Sequence, residues 1–351
     1  MFKSIKIKNL RAITELHVDN LGQVNLFVGQ NNCGKTTILE SLFFLIGATN
    51  PNLVVNVNTF RGLGAMSNEL WPTYFHNMDF SVPIEISGRI HDTLEEQKLL
   101  IRPIQKKVPS TKNEISDFVN LEIERGDSKP QIVPNGLELE YRSSEDISEE
   151  NISCIYLKEN NVEVEGSKVP PIRGIFINPL TVFDWKNRFG SVQRKKHINE
   201  VIAFLKHLEP NIADLRLNEV GLLEADIGFP RLLPANLMGG GFVKFLSVAL
   251  AFFDARDGFV LIDEIEDGLH HTAQQSIWKA MLSWAQDLNV QVFVTTHSWE
   301  SISAYKNSLD TTLFRPDATL FRIETKDEHF RAVEYTRDNL AEALDSRWEV
   351  R

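Results

Sequence analysis

The feature that most constrains the fold is a glycine-rich segment between an apolar stretch and an amphipathic one. The segment fits G-x-x-x-x-G-K-[ST] at every fixed position and reads Gly29-Gln30-Asn31-Asn32-Cys33-Gly34-Lys35-Thr36-Thr37. Residues 24–28 before it are apolar enough for a strand buried on both faces. After it, apolar residues recur at helical spacing over residues 35–46. A strand that turns through glycines into a helix is the setting in which this pattern binds phosphate.

Each part of this loop has an expected role. Gly29 and Gly34 let the backbone curve closely around a phosphate group, to which the N–H groups of the loop and of the first helical turn donate. Lys35 supplies a positive charge to the outer phosphates, and the Thr36 hydroxyl can bind Mg²⁺. We therefore expect a nucleotide to contact the following residues: Gly29, Asn31, Asn32, Gly34, Lys35, Thr36 and Thr37.

Two further strands end in side chains suited to the same chemistry. Residues 259–262 are apolar and run directly into Asp263 and Glu264, at the strand end where α/β sheets bind ligands. Asp263 suits a second contact to Mg²⁺, and Glu264 suits a base that polarises the attacking water. His297 follows a strand at 292–295 and is either a structural residue or a sensor of the γ-phosphate.

A second glycine cluster precedes an apolar helix. Gly239, Gly240 and Gly241 open a predicted helix over residues 241–253, so that bare N–H groups could face an anion. The alternative is a flexible turn between domains.

The remaining pattern predicts an α/β fold with a largely parallel sheet. Further strands are expected at residues 2–7, 82–90, 319–324 and 330–335, the last two as a hairpin followed by a short helix. Helices are expected at 194–208 and around 273–284, and residues 49–80 are expected to be loops. Residues 92–169 are richer in Glu, Lys, Ser and Asn and are interpreted as an insertion of small strands and loops.

The order of these motifs resembles the ATP-binding-cassette (ABC) ATPases, and more narrowly their soluble branch with SMC, RecF and the OLD proteins. The resemblance covers about residues 1–90 and 171–351. It also includes Asn9-Leu10-Arg11 after the first strand, the run Ile262-Asp263-Glu264-Ile265-Glu266-Asp267-Gly268-Leu269-His270, which looks like a Walker B motif with its D-loop, and Thr296-His297-Ser298, which looks like an H-loop.

The resemblance implies a P-loop NTPase with the fold of an ABC ATPase head: a mixed sheet, a helical subdomain and an inserted α+β segment. The core would comprise residues 1–91 and 171–351, the insertion 92–170, and the helical lid 181–240. ATP and Mg²⁺ would be the cofactors, with Arg11 at the nucleotide and with Thr36 and Asp263 at the metal. Glu264 would be the hydrolytic base, and His297 would sense the γ-phosphate.

The resemblance also implies a homodimer, or a higher even oligomer, in which each P-loop faces the partner's Gly239, Gly240 and Gly241. One departure concerns Met238, which stands where the family's signature has Ser, so that a hydroxyl contact is lost. The chain has no long heptad repeat for an SMC coiled coil. The stretch after His297 is too short for the Toprim nuclease domain of OLD nucleases.

Three functions remain open at this stage. The favoured one is an ATP-driven switch that dimerises and regulates a separate effector protein, a nuclease in anti-phage defence. The second is a RecF-like repair ATPase that binds DNA. The third and weakest is a metal-dependent nuclease.

Charge bears on the partner. The net charge of −11 argues against bulk coating of nucleic acid, so any contact must be local. A basic cluster at residues 186–197 is either a phosphate-contacting patch or a solvated helix face: Lys186, Arg188, Arg194, Lys195, Lys196 and His197. With only two cysteines and no long apolar stretch, we expect a cytoplasmic protein without a membrane partner.

Overall fold

A computed structural model of the chain describes residues 1–63, 67–90, 95–105, 134–144, 151–158, 161–170, 172–181, 183–311, 317–337, 339–340 and 342. The strands are β1 Phe2–Leu10, β2 Ile13–Val18, β3 Val24–Val28, β4 Ile84–Ile90, β5 Glu96–Gln105, β6 Pro134–Ser143, β7 Asn151–Lys158, β8 Asn161–Glu165, β9 Gly174–Ile177, β10 Asp214–Leu217, β11 Leu223–Asp226, β12 Leu233–Pro234, β13 Phe259–Ile262, β14 Gln291–Thr295, β15 Ala318–Lys326 and β16 His329–Tyr335. The α-helices are α1 Lys35–Ile46, α2 Asn52–Phe60, α3 Trp185–Arg194, α4 Ile198–Leu205, α5 Gly240–Asp254, α6 His271–Asp287 and α7 Trp299–Thr311.

A six-stranded sheet carries the phosphate-binding pattern. Its order is β16-β15-β3-β14-β13-β9, in which β15, β3, β14, β13 and β9 are parallel and β16 pairs antiparallel with β15. All residues of β3, β13 and β14 are buried, as expected for parallel strands covered on both faces. Alternate side chains enter two cores: Leu26 packs with α5 and α6, while Phe27 packs with α1.

A second sheet is antiparallel throughout and lies on the other side of α1. Its order is β2-β1-β4-β5-β6-β7-β8. Helix α1 contacts strands of both sheets, so the helix that begins in the glycine loop is held between two layers. The turn between β1 and β2, which holds Arg11, therefore lies beside the glycine loop.

The predicted fold class, a P-loop α/β fold with a mixed sheet, is confirmed. Strands β3 and β13 and helix α1 have the predicted bounds, and β15 and β16 form the predicted hairpin. In the described part of the segment 92–170, the regular elements are all strands, β5 to β8, and they extend the sheet of β1 and β4. The domain division stays a prediction, although its boundary at 91–92 falls between the paired strands β4 and β5.

Two local predictions were wrong. Residues 49–80 are not all loop, because α2 lies there together with 3₁₀ turns at Asn68–Tyr74 and His76–Met78. The helix expected at 194–208 is interrupted: α3 ends at Arg194, Lys196 takes a positive φ of 63°, and α4 begins at Ile198. The region 181–240, whose assignment as a lid stays a prediction, contains the sheet β10-β11-β12 as well as helices. The expected short terminal helix lies largely outside the described residues.

Candidate functional site

The glycine loop connects β3 to α1 and is shaped by positive backbone angles. Gly29 has φ 145° and Gly34 has φ 92°, both in the region that favours glycine. A Cβ atom on Gly29 would lie 2.6 Å from the Ile323 carbonyl oxygen of β15. The loop can therefore pass this close to the neighbouring strand only because residue 29 has no side chain.

Lys35 lies across the loop that it follows. Its Nζ donates to the carbonyl oxygens of Gly29 and Gln30, each at 2.8 Å. The same ammonium group is 3.9 Å from the Cys33 Sγ. Burial raises the pKa of the Cys33 thiol, although Lys35 opposes this, so Cys33 fills space as a neutral thiol.

Three oxygen-bearing side chains meet at the carboxyl ends of β13 and β14. The Thr36 hydroxyl donates to Asp263 Oδ2 at 2.9 Å, and the Thr295 hydroxyl donates to Asp263 Oδ1 at 2.6 Å. Because β14 lies between β3 and β13, Thr295 is well placed to reach Asp263. Burial raises the pKa of Asp263, while the two hydroxyl hydrogen bonds lower it.

This group of oxygens fits Mg²⁺. A buried carboxylate and a threonine hydroxyl are hard oxygen ligands, the type that Mg²⁺ prefers. Asp263 is only 8% exposed and its Oδ atoms have no cationic partner among their hydrogen bonds to described residues. A divalent cation here would place positive charge directly on this carboxylate.

Glu264, directly after Asp263, adopts a left-handed backbone conformation with φ 49°. Its N–H donates to the Thr295 hydroxyl at 2.9 Å, and its carbonyl accepts from Lys244 Nζ at 2.9 Å. Both contacts hold the main chain, so its carboxylate can turn toward the cavity described below. Burial raises the pKa of Glu264, and Asp263 and Asp267 add to that effect, which makes its carboxylate a better proton acceptor.

His297 is held by Glu266. The His297 N–H donates to Glu266 Oε1 at 2.8 Å, and the ring Nδ1 lies 3.0 Å from the same oxygen. The other oxygen, Oε2, accepts from the Thr296 hydroxyl at 2.7 Å. One carboxylate thus fixes both the backbone and the ring of His297, and the other ring nitrogen, Nε2, makes no hydrogen bond to a residue that the structure describes.

Arg11 reaches the site from the turn between β1 and β2. Its Nε donates to Glu40 at 2.7 Å, and its guanidinium carbon lies 4.8 Å from the centre of the Tyr74 ring. Arg61, which follows α2, donates from its Nε to the other oxygen of Glu40 at 2.6 Å.

These side chains border a cavity of about 530 Å³. The predicted site residues on it are Arg11, Asn31, Asn32, Gly34, Lys35, Thr36, Thr37, Asp263, Glu264 and His297. Gly29 forms the base of the same loop through its contact with Lys35. Sequence reasoning missed Arg61 and Thr295, which also line the cavity. Thr295 ends a predicted strand and could have been found from that position; Arg61 lies in the region taken for loops.

Gly239, Gly240 and Gly241 are not among the residues that line this cavity. Gly239 has φ 88°, and Gly239 and Gly240 are exposed where α5 begins. A Cβ atom on Gly240 would lie 3.3 Å from the carbonyl oxygen of Gly268, which comes from the loop after Asp263. The glycine turn and this loop therefore form one continuous surface.

The loop after β9 begins at Asn178, beside Asp263. The Asn178 side chain accepts from the N–H groups of Leu180 and Thr181 and donates to the Phe60 carbonyl. These bonds hold the Asn178 side chain in a local turn.

The basic cluster at 186–197 is divided by the fold. Arg188 is buried, Lys195 donates to the Asp254 carbonyl at 2.8 Å, and the His197 ring contacts Glu200. Three members of the cluster are exposed and form no ion pair with a described residue: Lys186, Arg194 and Lys196. A phosphate-contacting patch, one of the two alternatives left open by the sequence, could therefore use only half of the six residues.

A sheet with a glycine loop, an Asp-Glu strand end and a histidine strand end on one edge defines a P-loop ATPase. A family model described as "AAA domain" matches residues 4–225, and a second AAA-domain model matches residues 170–303. The chain belongs to the AAA-domain family and is an ATPase.

Individual relatives agree with this assignment. An ATP/GTP phosphatase of Helicobacter pylori is 22% identical, with 97% of each chain covered. An OLD nuclease of Thermus scotoductus is 24% identical over 99% of this chain and 66% of its own length. Among solved structures, an SMC head bound to the C-terminal winged-helix domain of ScpA has a TM-score of 0.52 at 12% identity and covers 98% of this chain and 99% of its own. That likeness concerns the fold.

No helix in the described part of the chain is both long and apolar enough to span a bilayer.

Proposed function

We propose that the chain is an ATP-driven switch in which two copies close head to tail around two ATP molecules. The contact between Gly240 and Gly268 carries this proposal. It joins the glycine turn to the loop after Asp263 in one exposed surface, which lies outside the cavity that Lys35 borders. A second copy can present that surface to the cavity, where the bare N–H groups would complete the phosphate contacts.

Within each site we assign roles by position. Lys35 and the loop N–H groups bind the phosphates, Arg11 adds a second positive charge, and Thr36 with Asp263 would hold Mg²⁺. When bound, Mg²⁺ neutralises charge on the β- and γ-phosphates. Glu264 accepts a proton from the attacking water, and His297, held by Glu266, donates a hydrogen bond to the γ-phosphate.

Two substitutions separate binding from hydrolysis. Lys35→Ala should abolish ATP binding, whereas Glu264→Gln should leave ATP binding intact and slow hydrolysis by about 10²–10⁴-fold, the loss typical of a general base. Calorimetry and phosphate release would measure the two quantities. Unchanged ATP affinity in Lys35→Ala would overturn the assignment of the glycine loop.

Whether two copies of the chain associate during ATP turnover can be tested by dilution. If a second copy completes the site, ATP turnover per chain should rise with protein concentration and then level off. A turnover per chain that stays constant over a 100-fold dilution range around the micromolar level contradicts a transient dimer of typical affinity.

We further propose that the switch regulates a separate effector, a nuclease in anti-phage defence. The similarity to the OLD nuclease, of whose length the chain spans 66%, motivates this step. The described residues contain no group of three or more His, Cys, Asp and Glu placed to hold a metal ion, so they offer no support for a nuclease site in this chain.

Co-purification from the native cells, with Glu264→Gln as bait and Lys35→Ala as control, should recover a nuclease specifically with the former. Metal-dependent DNA cleavage by the pure chain that survives Lys35→Ala would contradict the proposal.

A RecF-like DNA-binding ATPase is the second candidate. A RecF protein of Clostridioides difficile is 46% identical over 43 residues, which is 12% of each chain. The exposed Lys186, Arg194 and Lys196 would contact phosphates. Substituting all three by Ala should then weaken DNA binding and flatten its salt dependence, whereas Lys279→Ala on α6 should change neither. An absence of DNA binding at low salt removes this candidate.

A further inference from the structure

Glu40 lies on α1 four residues after Thr36, so both side chains occupy the same face of the helix. Its carboxylate is 2% exposed, although it belongs to the first helix of the nucleotide site. A buried carboxylate is costly unless positive groups and hydrogen bonds compensate it. The identity of its partners therefore indicates what this charge is for.

Each carboxylate oxygen of Glu40 accepts a hydrogen bond from one arginine. Arg11 Nε donates to Oε2 at 2.7 Å, and Arg61 Nε donates to Oε1 at 2.6 Å. The two arginines come from different parts of the fold, one from the turn between β1 and β2 and the other from the segment after α2. Glu40 is thus the point at which both segments are tied to α1.

The two arginines differ in how firmly they are otherwise held. Arg11 is 13% exposed, packs on the Tyr74 ring and donates from Nη2 to Asn58 at 3.3 Å. Arg61 is 36% exposed, and its terminal nitrogens make no hydrogen bond to a described residue. Because Glu40 takes the Nε of Arg61, the end of the guanidinium group remains available to a ligand.

Both arginines line the cavity together with Lys35 and Thr36. With Lys35 they place three cations around one opening, an arrangement that suits a chain of several phosphates more than a single anion. Without Glu40, the two guanidinium groups would repel each other and neither Nε would be fixed.

We propose that Glu40 is a positioning residue that sets Arg11 and Arg61 at fixed places on the nucleotide site, and that Arg61 contacts the ATP phosphates through its terminal nitrogens. This inference rests on the proposed nucleotide site. Glu40 itself does not touch the nucleotide. Its effect on ATP is exerted through the arginines, and that dependence can be measured.

The test is a double-mutant cycle on MgATP affinity in the full chain. Glu40→Gln and Arg61→Gln should each weaken MgATP binding on the order of 10-fold, the effect of one lost hydrogen bond to a charged group. The double variant should bind no more than about twofold more weakly than the worse single variant, since both substitutions disable the same contact. A purely structural role for Glu40 would instead give effects that multiply.

Asp254 provides a matched control. Its buried carboxylate, on α5, likewise forms ion pairs with two cations, Arg173 and Lys195, but it does not line the cavity. Asp254→Asn should lower the melting temperature and leave MgATP affinity unchanged. If it weakens MgATP binding as much as Glu40→Gln does, the loss is a general effect of breaking a buried ion pair and the inference is overturned.

The outcomes separate this inference from the proposed function. Unchanged binding in Lys35→Ala would overturn the nucleotide site itself. Loss of binding in Lys35→Ala, with wild-type affinity in folded Glu40→Gln and Arg61→Gln, would overturn only the role of Glu40. If Glu40→Gln does not fold, Glu40→Asp keeps the charge but is too short to reach both arginines. Wild-type affinity in folded Glu40→Asp would likewise overturn the inference.

Discussion

Lys244 is a buried cation beneath the acidic loop that follows β13. It is 2% exposed, and its ammonium donates to the Glu264 carbonyl at 2.9 Å. Burial lowers the pKa of Lys244 to about 8, even though the carboxylates of Asp267 and Glu266 act to raise it. The folded protein therefore stabilises the positive charge of Lys244 less well than water does.

This pKa predicts how stability depends on pH. The unfolded chain holds the Lys244 proton up to about pH 10.5, whereas the folded chain releases it near pH 8. The cost of the buried charge is thus fully present below pH 8 and is relieved as the pH rises toward 10.5. The free energy of unfolding of the wild type should rise relative to that of Lys244→Met by about 1–3 kcal/mol between pH 7.5 and 10. Chemical denaturation of both proteins across this range would measure it, and a constant difference would show that the pKa is unperturbed.

Glu266 positions His297, although Glu266 itself does not line the cavity. Because its Oε1 holds both the backbone N–H and the ring of His297, Glu266→Ala should lower ATP turnover roughly 10- to 100-fold through misplacement of the ring. His297→Ala should have a similar effect, and the double variant should lose little more. Thr296→Val removes the bond to Oε2 and the bond that the Thr296 hydroxyl accepts from the Ser298 N–H, and it serves as the milder control because both bonds of Oε1 remain. Additive losses in steady-state assays would show that the two residues act independently.

The elements of the site differ in how far the sequence alone predicts them. Helix α1 and strands β3 and β13 carry dense local signals, namely uninterrupted apolar strands and helical spacing after glycine, and their bounds were predicted. Helix α2 was missed because Asn52, Asn56 and Asn58 and its β-branched residues are weak helix formers. It is stabilised instead by burying Leu53, Val54 and Val57. Tertiary packing, and not helix propensity, therefore makes residues 52–60 helical. Arg61, which follows this helix, was missed for the same reason.

Two glycines in different elements predict opposite effects of the same substitution. Gly29→Ala places a Cβ at a positive φ and against the Ile323 carbonyl, so we expect it to lower stability by about 2 kcal/mol or more and to abolish ATP binding. Gly190 lies inside α3, with its nearest neighbour at 3.6 Å, so Gly190→Ala should raise stability by about 0.5–1 kcal/mol. Thermal unfolding and ATP titration of the two variants would check this, and equal effects would contradict the proposed constraint at Gly29.

At the scale of the molecule, the site joins parts that no local pattern links. The seven-stranded sheet brings Arg11 to the glycine loop through strand pairs that are distant in sequence, such as β1 with β4. The sequence predicted Arg11 only through the resemblance, and it did not predict that α1 lies between two sheets. The position of the glycine turn likewise depends on the whole fold: it lies against Gly268 and outside the cavity that Lys35 borders, which is the reason for proposing a second copy.

The molecular mass of Glu264→Gln in MgATP tests this central proposal most directly. Light scattering during size exclusion should show the monomer mass without nucleotide and twice that mass with MgATP, because the variant binds ATP and does not hydrolyse it. Adding Lys35→Ala to the same chain should keep it monomeric in both conditions. If Glu264→Gln binds MgATP by calorimetry yet stays monomeric at micromolar concentration, the head-to-tail switch is contradicted.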